Sequence, residues 1–328
     1  MGLTVRVTSG TGFEVLVRAV AVADPHWRSV LTDGDQVHRE ARRAGGSLAR
    51  DAVRFGRFGW INLIGPLAET PGSRQNLLDL VQRLEPAALH RILVGGRRAQ
   101  LQRLVPAAIL DGALQGDESA ARELRRALRS DRTTLEVAPW LLRTPAREVQ
   151  SACLRVLTAF PDDGGPGPMQ DGAEAVLARS DPTALLEQMA PGLRYDDEAP
   201  IHVVLIGSPA VHPVVLVVDE PGSTLIAHPP LIDGEPTDAT ARLRLLARAT
   251  GDHTRIRILQ ELRPGPRTLP DICLALDSPR TTLLHHLALL RAAGLIDVST
   301  SESEPNVYRL NPDGFDDFAR SVRAFTIQ

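Results

Sequence analysis

The stretch "LTVRVTS", Leu3 to Ser9, alternates apolar and polar residues and sets Leu3, Val5 and Val7 on one face, which predicts a half-buried strand. From about Gly12 to Phe160 the spacing changes. Stretches such as "SRQNLLDLVQRL", "SAARELRRALRS" and "PAREVQSACLRVLTAF" repeat apolar residues every three or four positions between Gly and Pro breaks, predicting a bundle of short amphipathic helices. "PDDGGPGPMQDG", Pro161 to Gly172, holds neither period and reads as a loop, after which "AEAVLARSDPTALLEQMA" resumes helix. Ile201 to Pro230 then carries three short β-branched runs between Gly/Pro turns, predicting a small antiparallel meander. Three strands alone are marginal, so Leu3–Ser9 is expected to join them. No repeat with a period of a solenoid unit is visible.

"LIDGEPTDAT" closes this region, with Asp238 or Thr237 available to cap the next helix, and the domain boundary is placed near residue 236. Beyond it the order is helix, helix, short helix, longer helix, two strands, helix. "DHTRIRILQEL" offers Asp252 as N-cap and is expected to bury Ile256, Leu259 and Leu262; "LPDICLAL" is a two-turn helix. In "TTLLHHLALLRAAGLI" a helical projection aligns Leu283, Leu287 and Leu290 toward the core and turns Thr281, His285, Ala288 and Ala292 the other way, with Gly294 at the C-terminus. "LIDVST" and "NVYRL" read as two strands and "PDGFDDFARSVRAF" as a closing helix. The fold class is therefore mainly α with small β. Residues 1–236 give a helical N-terminal domain with a short antiparallel sheet, and residues 237–328 a winged helix-turn-helix whose second helix enters the DNA major groove.

Charge refines this only locally. All 37 basic residues are arginine, against 40 acidic ones, a net of -3 that provides no global attraction to nucleic acid or lipid. From Asp238 to Gln328 there are 12 arginines against 11 acids, so DNA affinity is expected to be modest and strongly salt-dependent. Cys153 and Cys273 stand alone, without the spacing of a disulfide framework or a thiolate metal site, which fits a reducing cytosol. The N-terminus has no basic region followed by an apolar stretch, and no run reaches the length of a spanning helix; a soluble cytoplasmic protein with no membrane partner is expected.

The residues "DHTRIRILQEL", "LPDICLAL", "TTLLHHLALLRAAGLI" and "VYRL" resemble, in order and spacing, the ArsR family of winged-helix regulators. Thr254 and Arg255, the HHL of His285 to Leu287 and the AGL of Ala293 to Leu295 carry most of the likeness. The text from Ile201 to Pro230 is similar to the N-terminal region of longer ArsR-like regulators of high-GC bacteria. The resemblance implies a repressor, paired through helices near Leu243 to Ala249 and Phe315 to Phe325. It departs from the family where metal sensing is concerned: Cys273 is a lone thiol and the last helix has no histidine, so no metal and no cofactor is expected. The wing "SESEP" carries Glu302 and Glu304 where the family is usually basic, leaving Arg309 as the cation nearby.

The DNA-contacting set expected on these grounds is Arg280, Thr281, Thr282, Leu284, His285, Arg291 and Arg309. Free N–H groups at the helix start suit phosphate, and Arg280, Thr281 and Thr282 reach phosphates or base edges. Leu284 meets a thymine methyl or packs on a neighbour. His285 and His286, about 100° apart on the helix, are no metal pair; His285 projects outward and His286 leans to the apolar stripe. Trp27, Trp60 and Trp140 with Phe55 and Phe58 line an effector cavity or, more simply, form core. "GGPGP" lacks the context of a phosphate loop, and no catalytic motif appears. The chain is thus expected to be a homodimeric DNA-binding repressor, not an enzyme, whose N-terminal domain, residues 1–236, supplies dimer contacts and has room for a non-metal small-molecule effector. The alternative is a small-molecule-binding protein or enzyme whose winged helix serves as a protein-interaction module.

Overall fold

Apolar residues run almost unbroken from Phe13 to Val22, and the helix they form, α1 (Thr11–Ala23), is buried around most of its circumference. A helix apolar on every side belongs at the centre of its unit. In this computed structural model α1 is surrounded by α2 (Pro25–Val30), α3 (Gly34–Arg43), α4 (Gly46–Ile61), α5 (Ile64–Ala68) and α6 (Arg74–Arg83). Helices α7 (Pro86–Val94), α8 (Ala107–Leu114), α9 (Glu118–Ser130) and α10 (Ala146–Ala159) complete the bundle. The structure describes residues 3–31, 33–43, 46–69, 72–94, 104–130, 140–160, 181–190, 192–195, 201–220, 223–229, 239–300 and 306–326. "PDDGGPGPMQDG" and the first part of the helix expected after it lie outside these residues.

The aromatic residues of this bundle pack on one another. Phe55 and Trp60 are 1% and 0% exposed with ring centroids 4.4 Å apart, and Trp140 lies 5.1 Å from Phe55. Trp60 donates its indole N–H to the Ala52 carbonyl at 3.0 Å. Of the two alternatives for this cluster, these rings take the core-packing one; the Phe58 side chain lies outside the described residues.

Contacts divide the chain into Thr8–Pro168 and a second unit made of Met1–Val7 with Met169–Gln328. The second unit therefore contains residues on both sides of the boundary expected near 236. It holds two four-stranded sheets. The first has the order β1 (Leu3–Ser9), β3 (Ile201–Gly207), β5 (Ser223–His228), β4 (Leu216–Glu220). The N-terminal strand does join the strands beyond residue 200, but the expected meander is corrected: β3 and β5 pair in parallel, and only β4 and β5 form an antiparallel hairpin. A 3₁₀ turn, Pro209–Val211, carries the chain past the place that β5 takes. Leu205, Ile206 and Ile226 are all fully buried, and continuous burial in the central strands is what a parallel pair requires.

The second sheet has the order β2 (Leu193–Tyr195), β7 (Ile296–Thr300), β8 (Val307–Leu310), β6 (Arg267–Thr268). Helices α11 (Pro182–Met189), α12 (Ala239–Thr250), α13 (His253–Glu261), α14 (Leu269–Leu276), α15 (Arg280–Ala292) and α16 (Pro312–Thr326) accompany the two sheets. The helix, helix, short helix, longer helix, hairpin, helix order read from residue 239 onward is present in full. Asp181 caps α11 through bonds from the Thr183 and Ala184 amides. The expected capping residues Thr237 and Asp238 lie outside the described residues.

Candidate nucleic-acid interface

Three helices, α13, α14 and α15, contact one another pairwise and form the helix-turn-helix core. Asp252 caps α13 by accepting from the Arg255 amide at 3.0 Å. The apolar side of α13 is Ile258, Leu259 and Leu262, at 0%, 8% and 2% exposure, whereas Ile256 is 37% exposed. Ile256 is thus not the core residue expected. The inward face begins at Arg255, and the i, i+3, i+4, i+7 positions from there are 258, 259 and 262; a polar residue at the head of the stripe conceals its phase. Thr268 and Asp271 close a capping box on α14, with Asp271 accepting from the Thr268 amide at 3.0 Å.

A left-handed Asp277, at φ 48°, ends α14, and Pro279 precedes the first residue of α15. The expected core stripe is found: Leu283, Leu287 and Leu290 are 0%, 2% and 0% exposed. At the far end Gly294, with φ 75°, takes the left-handed position after the helix, and the Leu295 amide returns to the Leu290 carbonyl at 3.0 Å. Arg242 adds a side-chain cap, its Nη2 donating to Ala293 O at 3.1 Å.

Of the two histidines, only the first departs from its expected surroundings, and the second is half-buried as expected. His285 is 4% exposed, so it does not project into solvent. His286 is half-buried and sits at a polar junction, where its Nδ1 lies 3.2 Å from Arg255 Nη1. Asp252 Oδ1 also approaches this Nδ1, at 3.5 Å. Arg255 completes the junction by donating to the carbonyls of Ala249 and Arg248 at 3.0 and 2.5 Å, which closes the C-terminus of α12. One side chain thus joins the end of α12, the start of α13 and the middle of α15. Sequence pattern shows Arg255 only as a family-like residue, because its partners are backbone oxygens remote in sequence.

Partial burial disfavours ionisation of Asp252, but the Arg255 amide, the Arg255 charge and the His286 ring together outweigh it and hold the carboxyl below its ordinary range. The Thr268 hydroxyl and amide do the same for Asp271. Depressed folded-state values contribute stability that is complete above the unfolded carboxylate pKa of about 3.9 and lost as pH falls through the folded value. Urea midpoints of the helix-turn-helix segment, followed by hydrogen exchange, should therefore fall below about pH 4. Asp252→Asn, which can still accept at the N-cap but cannot titrate, should flatten that dependence.

The expected DNA-contacting residues separate into three groups. Arg280 is exposed at the N-terminus of α15, while Thr282 and Leu284 are half-buried; the Thr281 side chain lies outside the described residues. His285 and Arg291 are buried, and Arg291 Nη2 donates to Val215 O at 2.9 Å. Arg309 stands 3.6 Å from Asp297, which is 7% exposed and equally close to Arg194. The exposure expected of Arg291 and His285 is therefore corrected; for Arg291 the reason is the Val215 carbonyl, upstream of residue 236, to which it donates. Asp297, facing Arg309 across the hairpin, is the site residue that pattern could have flagged: an acid within the otherwise alternating "LIDVST". Glu302 and Glu304 of the wing lie outside the described residues.

Among the described residues no group of His, Cys, Asp and Glu is placed to hold a metal, and no helix is long and apolar enough to cross a membrane. Cys153 is buried and Cys273 half-buried, both as free thiols. Residues 250–299, which run from the end of α12 into β7, match a family described as a helix-turn-helix domain. No curated protein and no solved structure matches the chain. The chain thus carries a helix-turn-helix domain of the kind found in DNA-binding regulators.

Proposed function

We propose that this chain is a sequence-specific transcriptional regulator that acts in the cytoplasm as a homodimeric repressor and reads double-stranded DNA through α15. The observation that carries the reading is the N-terminus of α15: Arg280 exposed at the head of a helix whose Leu283, Leu287 and Leu290 are anchored on α13 and α14. A recognition helix meets base edges with its N-terminal residues while its other side is fixed to the first helix of the motif. Arg280, Thr281 and Thr282 are the contacts in this reading, and Leu284 supplies an apolar one.

The dimer is supported by α16, which packs on α12 and leaves Val322 and Phe325 39% and 49% exposed. Apolar side chains of that size on a terminal helix suit a two-fold contact. Two copies would set their recognition helices about 34–36 Å apart and select a palindromic site. Repression, rather than activation, rests on the ArsR-like resemblance. The N-terminal part is proposed to answer to a non-metal small molecule, and no catalytic role is assigned to any residue.

Selection of duplexes from a random-sequence pool on the full-length chain at low salt tests the function. Arg280→Ala should weaken binding to the selected duplex about ten-fold, the loss of one charged contact to phosphate or base. It should also reduce the slope of affinity against salt if the contact is to phosphate. Failure to enrich any sequence would reject this reading in favour of the winged part as a protein-interaction module.

A further inference from the structure

We propose that Arg194 and Arg309, gathered on one carboxylate at the outer face of the winged sheet, form a phosphate-binding pair, and that the phosphate they hold belongs to the DNA backbone beside α15. The inference rests on the DNA-binding reading above and adds two contacts to it. Both residues lie outside the matched stretch 250–299, one upstream of it and one downstream.

Strand register builds the face. β7 pairs with β8 so that Ile296 and Val298 stand opposite Leu310 and Tyr308, and Asp297 and Ser299 opposite Arg309 and Val307. β2 pairs with the other edge of β7, with Leu193 opposite Val298 and Arg194 opposite Ser299. Side chains alternate along a strand, so Leu193, Ile296, Val298 and Tyr308 share the inner face, at 4%, 0%, 5% and 6% exposure. Arg194, Asp297, Ser299 and Arg309 share the other. There Arg194 Nε and Arg309 Nε each stand 3.6 Å from the same oxygen, Asp297 Oδ2, with side chains 56% and 40% exposed against 10% for the aspartate.

At that distance the contacts are ion pairs rather than hydrogen bonds. Among the described residues neither guanidinium makes a hydrogen bond, so both planar forks keep their N–H donors for another acceptor. One arginine suffices to neutralise Asp297, and an exposed ion pair adds little stability. The second arginine leaves one positive charge in excess. Two forks on one centre match the two free oxygens of a phosphodiester.

The source of the phosphate follows from the helix beside the sheet. α15 packs on β7, and a helix about 10–12 Å across fills a major groove about 12 Å wide. An element on the flank of that helix therefore stands over the phosphates bordering the groove. The hairpin connection carries Glu302 and Glu304 in its sequence, which repel phosphate. Arg194, delivered by a strand from outside the hairpin, supplies the cation that the connection lacks.

The test uses the full-length chain and the duplex recovered by the selection described above. Arg194→Ala and Arg309→Ala should each weaken binding about five-fold, the loss of one charge-assisted contact, and leave the selected sequence unchanged, because a phosphate contact carries no base information. Each should lower the slope of log affinity against log salt by about 0.9, and the double variant by about twice that. Arg194→Lys should keep the wild-type slope, since the charge remains. Arg83→Ala, at an exposed position of α6, should alter neither quantity. Duplex should also shift the Nε–H resonances of Arg194 and Arg309, assigned from the two alanine variants, and inorganic phosphate is titrated in parallel at constant ionic strength. Saturation of those resonances by inorganic phosphate, with duplex affinity and slope unchanged in both alanine variants, would overturn the DNA contact in favour of a small phosphorylated molecule. Unchanged affinity and slope with no response to phosphate would overturn the pair altogether and leave DNA binding by α15 intact. If wild type retains no duplex, the DNA-binding reading falls and this contact with it.

Discussion

Arg255→Ala should destabilise the helix-turn-helix by about 3 kcal/mol, the sum expected for losing several charge-assisted bonds that cannot all be replaced by water. The guanidinium satisfies Ala249 O, Arg248 O and His286 Nδ1 from a half-buried position beside Asp252. Truncation leaves the end of α12 uncapped and removes the guanidinium beside His286 Nδ1. Arg255→Lys should recover only part of the loss, since an ammonium cannot reproduce the fork that spans three acceptors. All three tryptophans lie within Thr8–Pro168, so their fluorescence does not report on this segment. Hydrogen exchange of peptides covering residues 239–300 is the appropriate measure; unchanged protection in Arg255→Ala would show that the junction contributes nothing beyond its geometry.

Gly314→Ala should cost a similar amount, about 3 kcal/mol, by overpacking. A Cβ at Gly314 would run into the carbonyl oxygen of Gly294, which is backbone and cannot swing aside. The contact seats α16 against the turn after α15, where the Asn311 amide also donates to Leu295 O at 3.0 Å. Displacing α16 moves the same helix that carries Val322 and Phe325. The variant should therefore lower the thermal midpoint followed by circular dichroism and, in the dimer proposed above, weaken the association of the two copies. Asp313→Ala, at an exposed neighbouring position, should shift the midpoint by no more than about 0.5 kcal/mol equivalent. A Gly314→Ala protein as stable as wild type would mean that the α15–α16 turn is free to relax.

Much of the winged part is legible in the chain because its determinants are local. Asp252 as N-cap, Gly294 at the left-handed position, and the Leu283, Leu287, Leu290 stripe follow from one helical period and from which residues tolerate which backbone angles. The joining of Leu3–Ser9 to the strands beyond residue 200 is legible for another reason: three strands need further hydrogen-bonding partners. Strand direction is not legible. Alternation and β-branching are the same for parallel and antiparallel pairs, so the insertion of β5 between β3 and β4 has no signature in the pattern.

What the sequence by itself determined is the order of helices and strands from residue 239 onward and the inward face of α15, since both depend on side-chain periodicity along a single element. The surroundings of the other face were decided by tertiary structure alone. A helical projection turns His285 away from the core because it includes no other element, and the expected DNA-contacting set counts Arg291 as exposed. In the folded chain His285 is buried, and Arg291 meets the backbone oxygen of Val215, an atom every residue type possesses and no sequence pattern distinguishes.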